Sequence, residues 1–158
     1  MSEASREAAV ARFIERMALA LTESGVPRMP SRVFCRLLAN DSGKATATQL
    51  AESLRVSPAA ISGAVRYLDQ VGLIVRARDP GERRDHYEVR DDIWYDVYGN
   101  RDKQFQHWND VMADGIAAVG ADTPAGARLA KTQRFFEFLR KAMPELMEKW
   151  RAEEESMP

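Results

Sequence analysis

Two short stretches of this sequence carry arginines, hydroxyls and small residues at spacings suited to gripping a polyanion. The first holds Thr46, Ser57, Ala59, Ser62, Gly63, Arg66 and Tyr67; the second is the pair Arg83-Arg84. A guanidinium meets a guanine edge or a phosphate through two parallel hydrogen bonds. Hydroxyls and the free N–H groups of a helix start hold phosphate oxygens. Small residues let a helix lie deep in a groove. An arginine at the end of a β-ribbon is placed to enter the narrow, electronegative minor groove.

Other chemistries find little support. There is no P-loop, no glycine-rich nucleotide fingerprint and no nucleophile elbow. His86 and His107 stand apart, without metal-ligand spacing. The sequence therefore predicts no catalytic residues, no metal and no cofactor, and the expected protein is not an enzyme. The single cysteine, Cys35, sits beside the apolar stripe of a helix, which favours a buried structural thiol over a redox sensor.

The elements that must position these residues follow from periodicity. Glu3 to Ser24 has helical spacing through Val10, Phe13, Ile14, Met17 and Leu21, and Gly25 stops it. Pro30-Ser31 opens a second helix, Arg32 to Ala39, with Val33, Phe34, Leu37 and Leu38 inward, and residues 40–44 read as a loop. Thr46 caps a short helix to Leu54; its hydroxyl serves either as that cap or as a phosphate contact. After the tight turn Arg55-Val56-Ser57, Ser57-Pro58 starts another helix, with a capping hydroxyl followed by proline at the first position. Ile61, Ala64, Val65 and Leu68 form its apolar face, so Ala59, Ser62, Gly63, Arg66, Tyr67 and Gln70 are expected outside. The period then changes. Leu73–Arg78 and His86–Arg90 read as strands around the turn-rich tip Asp79–Asp85, in which Asp79, Glu82 and Asp85 are expected to restrain Arg83 and Arg84.

Helix order resumes after the hairpin. A heptad seam runs Trp94, Tyr98, Arg101, Phe105, Trp108, Met112, Gly115, Val119 in one helix. Pro124 opens the last helix, with stripe Leu129, Thr132, Phe135, Leu139, Ala142, Leu146 and Trp150; Pro144 is expected to kink or restart it. Met1–Ser5 and the acidic end from Glu153 to Pro158 are expected to fray.

Composition agrees with a docking protein. The net charge is −1, but the charges are divided: residues 1–90 carry 14 Lys/Arg against 11 Asp/Glu, and residues 91–158 carry 9 against 13. One basic and one acidic half suit a molecule that meets DNA by one side. No apolar run reaches the ~18–20 residues of a membrane span. Nor does a basic start lead into an apolar run, so cytoplasmic residence is expected.

The run Gln49-Leu-Ala-Glu-Ser-Leu-Arg-Val-Ser-Pro-Ala-Ala-Ile-Ser-Gly-Ala-Val-Arg-Tyr-Leu-Asp-Gln-Val-Gly-Leu-Ile, followed by Asp79-Pro-Gly-Glu-Arg-Arg-Asp, resembles the MarR family of winged-helix regulators. The wing string Pro-Gly-x-Arg-Arg-Asp-His-Tyr is most similar to its GbsR-like branch. The resemblance covers Val26 to Arg90; beyond that only the layout of helices matches. Gly63 and Tyr67 depart from the commoner family pattern, polar or basic at the first and arginine at the second, so base preference does not carry over. The resemblance implies a mainly α fold with a small β-hairpin wing. Residues 1–30 would form an N-terminal dimerisation helix, 31–90 the winged helix-turn-helix, and 91–158 the C-terminal dimerisation helices. It implies a homodimeric regulator, in the family's commoner mode a repressor, released when a small molecule binds between the dimer helices and the winged helix.

The residues themselves support a dimer as well. Two long aromatic-rich helices after a small domain would leave a large apolar patch bare in a monomer. A twofold pair would set two reading helices about 34–36 Å apart on a near-palindromic double-stranded DNA site. Phe13, Met17, Trp94, Tyr95, Tyr98 and Trp108 either line an effector pocket or are plain core. A winged helix that binds another protein, with no DNA target, is the competing reading.

Overall fold

The computed structural model describes residues 2–99 and 101–157. The chain is mainly helical with a small three-stranded antiparallel sheet. It forms two compact units, Met1–Ile93 and Trp94–Pro158.

The first unit contains α1 (Glu3–Glu23), α2 (Arg28–Leu38), β1 (Lys44–Thr46), α3 (Ala47–Leu54), α4 (Pro58–Gln70), β2 (Val75–Ala77) and β3 (His86–Glu88). Its core joins Val33, Phe34 and Leu37 of α2, Leu50 and Leu54 of α3, Ile61 and Leu68 of α4, and Ile74 of the wing. Helix α1 contributes Ile14 and Ala18 to the same core. Leu38, expected inside, is exposed because α2 turns it past the edge of that stripe. α2 also begins at Arg28, earlier than its proline suggests: Pro30 lies within the first turn, where a missing N–H costs no hydrogen bond.

Three helices of this unit end alike. After α1, Val26 N–H donates to Leu21 and Gly25 N–H to Thr22; after α4, Leu73 donates to Leu68 and Gly72 to Asp69. After α3, Val56 donates to Ala51 and Arg55 to Glu52. Gly25 and Gly72 take φ +99° and +76°, whereas Arg55 adopts φ 53° without being glycine. This left-handed residue makes the tight turn between α3 and α4.

Strand β1 falls where the sequence reads as a loop and a cap. It pairs with β3, whose other side pairs with β2, giving the order β1-β3-β2. Three residues are too few to show a period, so only the pairing partner defines this strand. The wing strands are likewise shorter than their apolar pattern.

The second unit holds α6 (Asp102–Val119) against α7 (Pro124–Ser156), together with most of α5 (Ile93–Gly99). The single helix expected over Trp94–Val119 is two, and its residue Asn100 lies outside the described residues. Thr123 caps α7 by accepting from Gly126 N–H at 3.0 Å, and a Cβ on Gly126 would come 2.1 Å from the Gly120 carbonyl oxygen. Glycine is required at that crossing. Rings of Phe105, Trp108 and Phe136 pack together, with Trp108 edge-on to Phe136 at 4.7 Å between centroids. Phe136 therefore fills the seam expected of Phe135, which points outward.

Helix α7 continues through Pro144, so this proline does not restart it. Only the one hydrogen bond to the Arg140 carbonyl is lost, on an exposed turn. The ends do not fray as expected: Ser2 caps α1, and α7 runs to Ser156. Met1 and Pro158 lie outside the described residues. Among the described residues, no helix is long and apolar enough to cross a membrane.

Candidate nucleic-acid interface

Helix α4 is divided lengthwise. Ile61, Ala64, Val65 and Leu68 are buried, while Ala59, Ser62, Gly63 and Arg66 are exposed. Arg66 has no hydrogen bond or ion pair with any described residue, so its five donors are unused by the protein. A Cβ on Gly63 would meet nothing within 4 Å. Glycine inside an exposed helix costs about 1 kcal/mol relative to alanine. Packing within the described residues does not account for it. Tyr67 differs from its expected outward position, for its ring packs against the edge of the core and only part of it reaches solvent.

The two capping hydroxyls are in use. Ser57 Oγ accepts from Ala60 N–H at 3.2 Å. Thr46 Oγ1 accepts from Gln49 N–H at 3.2 Å, while Gln49 Oε1 accepts from Thr46 N–H at 2.8 Å, a reciprocal capping box. Each hydroxyl still has its own proton to donate outward.

The wing is ordered by its carboxylates. Glu82 N–H donates to the Asp79 carbonyl at 3.0 Å, and Gly81 has φ +87°. With Pro80 before it, this is a type II turn, which needs glycine at its third position. Lys44 Nζ on β1 donates to Asp79 Oδ2 at 3.0 Å. Asp85 receives Arg76 on Oδ2, through Nε at 2.7 Å and also through Nη2, and Arg78 on Oδ1, through Nε at 2.7 Å. The restrained arginines are thus Arg76 and Arg78, rather than Arg83 and Arg84 as the sequence suggests. Strand geometry explains this: Asp85 enters β3 opposite β2, which carries Arg76. Arg83 and Arg84 are exposed and have no partner among the described residues.

His86, isolated in sequence, is buried at the tip end of the β2–β3 ladder, opposite Ala77. Its Nε2 is 3.3 Å from Glu88 Oε2 and its Nδ1 3.8 Å from Asp79 Oδ2. It ties the hairpin together. No group of three metal-ligating side chains occurs among the described residues. Cys35 is fully buried, and burial, with Glu15 nearby, pushes its thiol up to about 11. The thiolate is therefore scarce at neutral pH. A disulfide reagent such as DTNB is expected to modify Cys35 slowly in the folded protein and at least ~100-fold faster in urea; equal rates would show an accessible, reactive thiol.

The six residues suggested for an effector pocket are distributed. In the second unit, Trp94, Tyr95 and Tyr98 line a cavity of about 470 Å³ with Leu146, Met147 and Trp150. Trp108 lies instead in the Phe105–Phe136 ring cluster. In the first unit, Phe13 and Met17 line an open groove along α1, with Arg12 and Arg16. Leu146 and Trp150 were visible in sequence only as a heptad stripe. Spacing does not mark Lys44, Arg76 and Arg78, because strand pairing connects them to the wing carboxylates.

Comparisons with known proteins agree with this geometry. Residues 24–85 match the MarR family, and residues 92–153 match the MmpR5-like MarR family transcriptional regulators. The HTH-type transcriptional regulator MmpR5 of Mycobacterium tuberculosis is 26% identical over 122 residues, spanning 77% of this chain and 74% of that protein. A crystal structure of a transcriptional regulator superposes with a TM-score of 0.82 at 22% identity, covering 91% of this chain and 99% of the other. The fold is therefore shared, and these relatives are regulators rather than enzymes. One match falls on the winged helix and the other on the helical pair, and both are models of MarR-family regulators, to which this chain is similar.

Proposed function

We propose that this protein is a sequence-specific DNA-binding repressor that acts as a homodimer on a near-palindromic site. The observation that carries the proposal is the division of α4. Its inner face is packed, and its outer face presents Arg66, without a partner among the described residues, beside Ser62 and Gly63. Such a helix fits the major groove, with Arg66 on a guanine edge or a phosphate and the Ser57 and Thr46 hydroxyls donating to the backbone. Arg83 and Arg84 lie at the tip of a ribbon suited to the adjacent minor groove. DNA is a cytoplasmic partner here, and that compartment is part of the proposal.

The dimer is supported by surface that one chain leaves bare. In the second unit Val111, Phe135, Phe138 and Leu146 are each at least half exposed, at 50%, 56%, 64% and 56%. Helix α1 exposes Phe13 and Leu19 as well. Large apolar side chains left exposed in each unit favour an interface. Trp94, Tyr95 and Tyr98, with the cavity they share, are the candidate seat of a small-molecule effector. A panel of small aromatic and quaternary-ammonium compounds that leaves the melting temperature unmoved would return these rings to plain packing. Membership of the MarR family is part of the proposal: the wing string from Pro80 to Tyr87 supports a place near its GbsR-like branch, while the helical pair matches MmpR5-like regulators.

Selection of bound duplexes from a random pool tests the central claim. The expected product is a twofold-symmetric site whose half-sites lie ~10 bp apart, bound by a species of twice the chain's mass in light scattering. A pool without enrichment would favour the reading of the winged helix as a protein-interaction module.

A further inference from the structure

Four arginines lie between Arg76 and Arg84, and the protein treats them as two pairs. Arg83 and Arg84 are unpartnered at the tip. Arg76 and Arg78, one strand away, both end on the single carboxylate of Asp85. The two arginine side chains are well exposed, at 61% and 59%, but the Asp85 side chain they share is 17% exposed. Each oxygen of Asp85 takes one guanidinium through its Nε and Nη2 side, so the clamp restricts where each arginine can point.

Resting on the DNA-binding reading above, we propose that Asp85 is a specificity-determining residue. By holding Arg76 and Arg78 it withholds two wing cations from the DNA backbone and leaves base-groove contact to Arg83 and Arg84.

The physical reason is the division between phosphate and base contacts. A guanidinium free to meet any phosphate adds affinity for every sequence and no discrimination. A clamped guanidinium contributes its field but does not displace counterions by direct contact. The two arginines hold the Asp85 carboxyl below the ordinary carboxylate range, so the clamp stays ionised at neutral pH. Because the folded value is lowered, the clamp is intact above the usual carboxylate range and is lost only as pH falls through it. The same clamp ties β2 to the start of β3 and so aims the tip.

The test measures fluorescence anisotropy of the full chain on its selected duplex and on a scrambled duplex of equal length, over a salt series. For Asp85→Asn, the expected result is several-fold tighter binding to the scrambled duplex and a salt slope steeper by about one to two. The ratio of specific to scrambled affinity should drop ~5- to 10-fold. Adding Arg76→Gln and Arg78→Gln to that variant should restore the wild-type slope. In the wild-type background the same two glutamines should leave the slope within about half a unit, which keeps the idea testable if Asp85→Asn folds poorly. A slope lowered by about two in that double variant would overturn the proposal, for it would place both arginines on phosphates. An unchanged slope in Asp85→Asn, with both affinities falling together, would also overturn it and leave Asp85 a structural clamp only. Wild-type protein that binds neither duplex at any salt overturns the DNA reading itself, and this inference with it.

Discussion

Replacing Arg66 with alanine is expected to weaken binding to the selected duplex by ~1–3 kcal/mol, roughly 5- to 150-fold. Scrambled DNA should lose much less. The expectation follows from the position of Arg66 on α4: it is exposed, has no partner among the described residues and lies one helical turn beyond Ser62, across from the buried Ile61–Leu68 face. A bidentate contact to one base costs discrimination at that base when it is removed. A phosphate contact would instead cost all sequences about equally and flatten the salt slope by about one. Repeating the pool selection with Arg66→Ala separates the two cases. Relaxed preference at one position in each half-site assigns Arg66 to a base, and an unchanged consensus assigns it to the backbone. If affinity for both duplexes is unaltered, α4 is not the reading helix.

Truncating Phe34 to alanine is expected to cost ~3–5 kcal/mol of folding stability. Phe34 is among the largest fully buried side chains, in the core shared by α1, α2, α3, α4 and the wing. Removing its ring loses apolar burial and leaves a cavity in that core. Since domains of this size are stable by only about 5–15 kcal/mol, the variant should unfold at a much lower urea midpoint with its slope unchanged. DNA binding should weaken only to the extent that unfolded protein accumulates. A loss below ~1 kcal/mol would mean the site relaxes or the core is less continuous than its contacts indicate.

The reading surface was legible in sequence because its signals are local. Ser57-Pro58 declares a helix start by capping chemistry, and Gly72 declares its end. The apolar spacing of Ile61, Ala64, Val65 and Leu68 then leaves Ser62, Gly63 and Arg66 on the other side whatever the rest of the chain does. The turn at Pro80-Gly81 is equally local. Tyr67 was less legible, since it lies at the border of the apolar stripe, where rotation by a few tens of degrees decides between solvent and core.

What lay beyond the sequence depends on elements far apart in the chain. β1 exists because β3 pairs with it across some forty residues, and no three-residue pattern announces that. The partner of Asp85 could not be read from its neighbours Arg83 and Arg84. In a strand adjacent side chains point to opposite faces, so a carboxylate meets the residues of the next strand before those beside it. Likewise Phe136, rather than Phe135, entered the α6–α7 seam because the close crossing at Gly126 sets the rotation of α7.

The sequence by itself therefore determined that two stretches of arginine, hydroxyl and small residues sit on a helix start and a hairpin tip. Capping, periodicity and turn chemistry act over a few residues and need no partner. Only the tertiary structure decided which arginines are free and which are held. That choice is made by strand pairing and burial, which bring one carboxylate, Asp85, against Arg76 and Arg78 and leave Arg66, Arg83 and Arg84 without partners among the described residues.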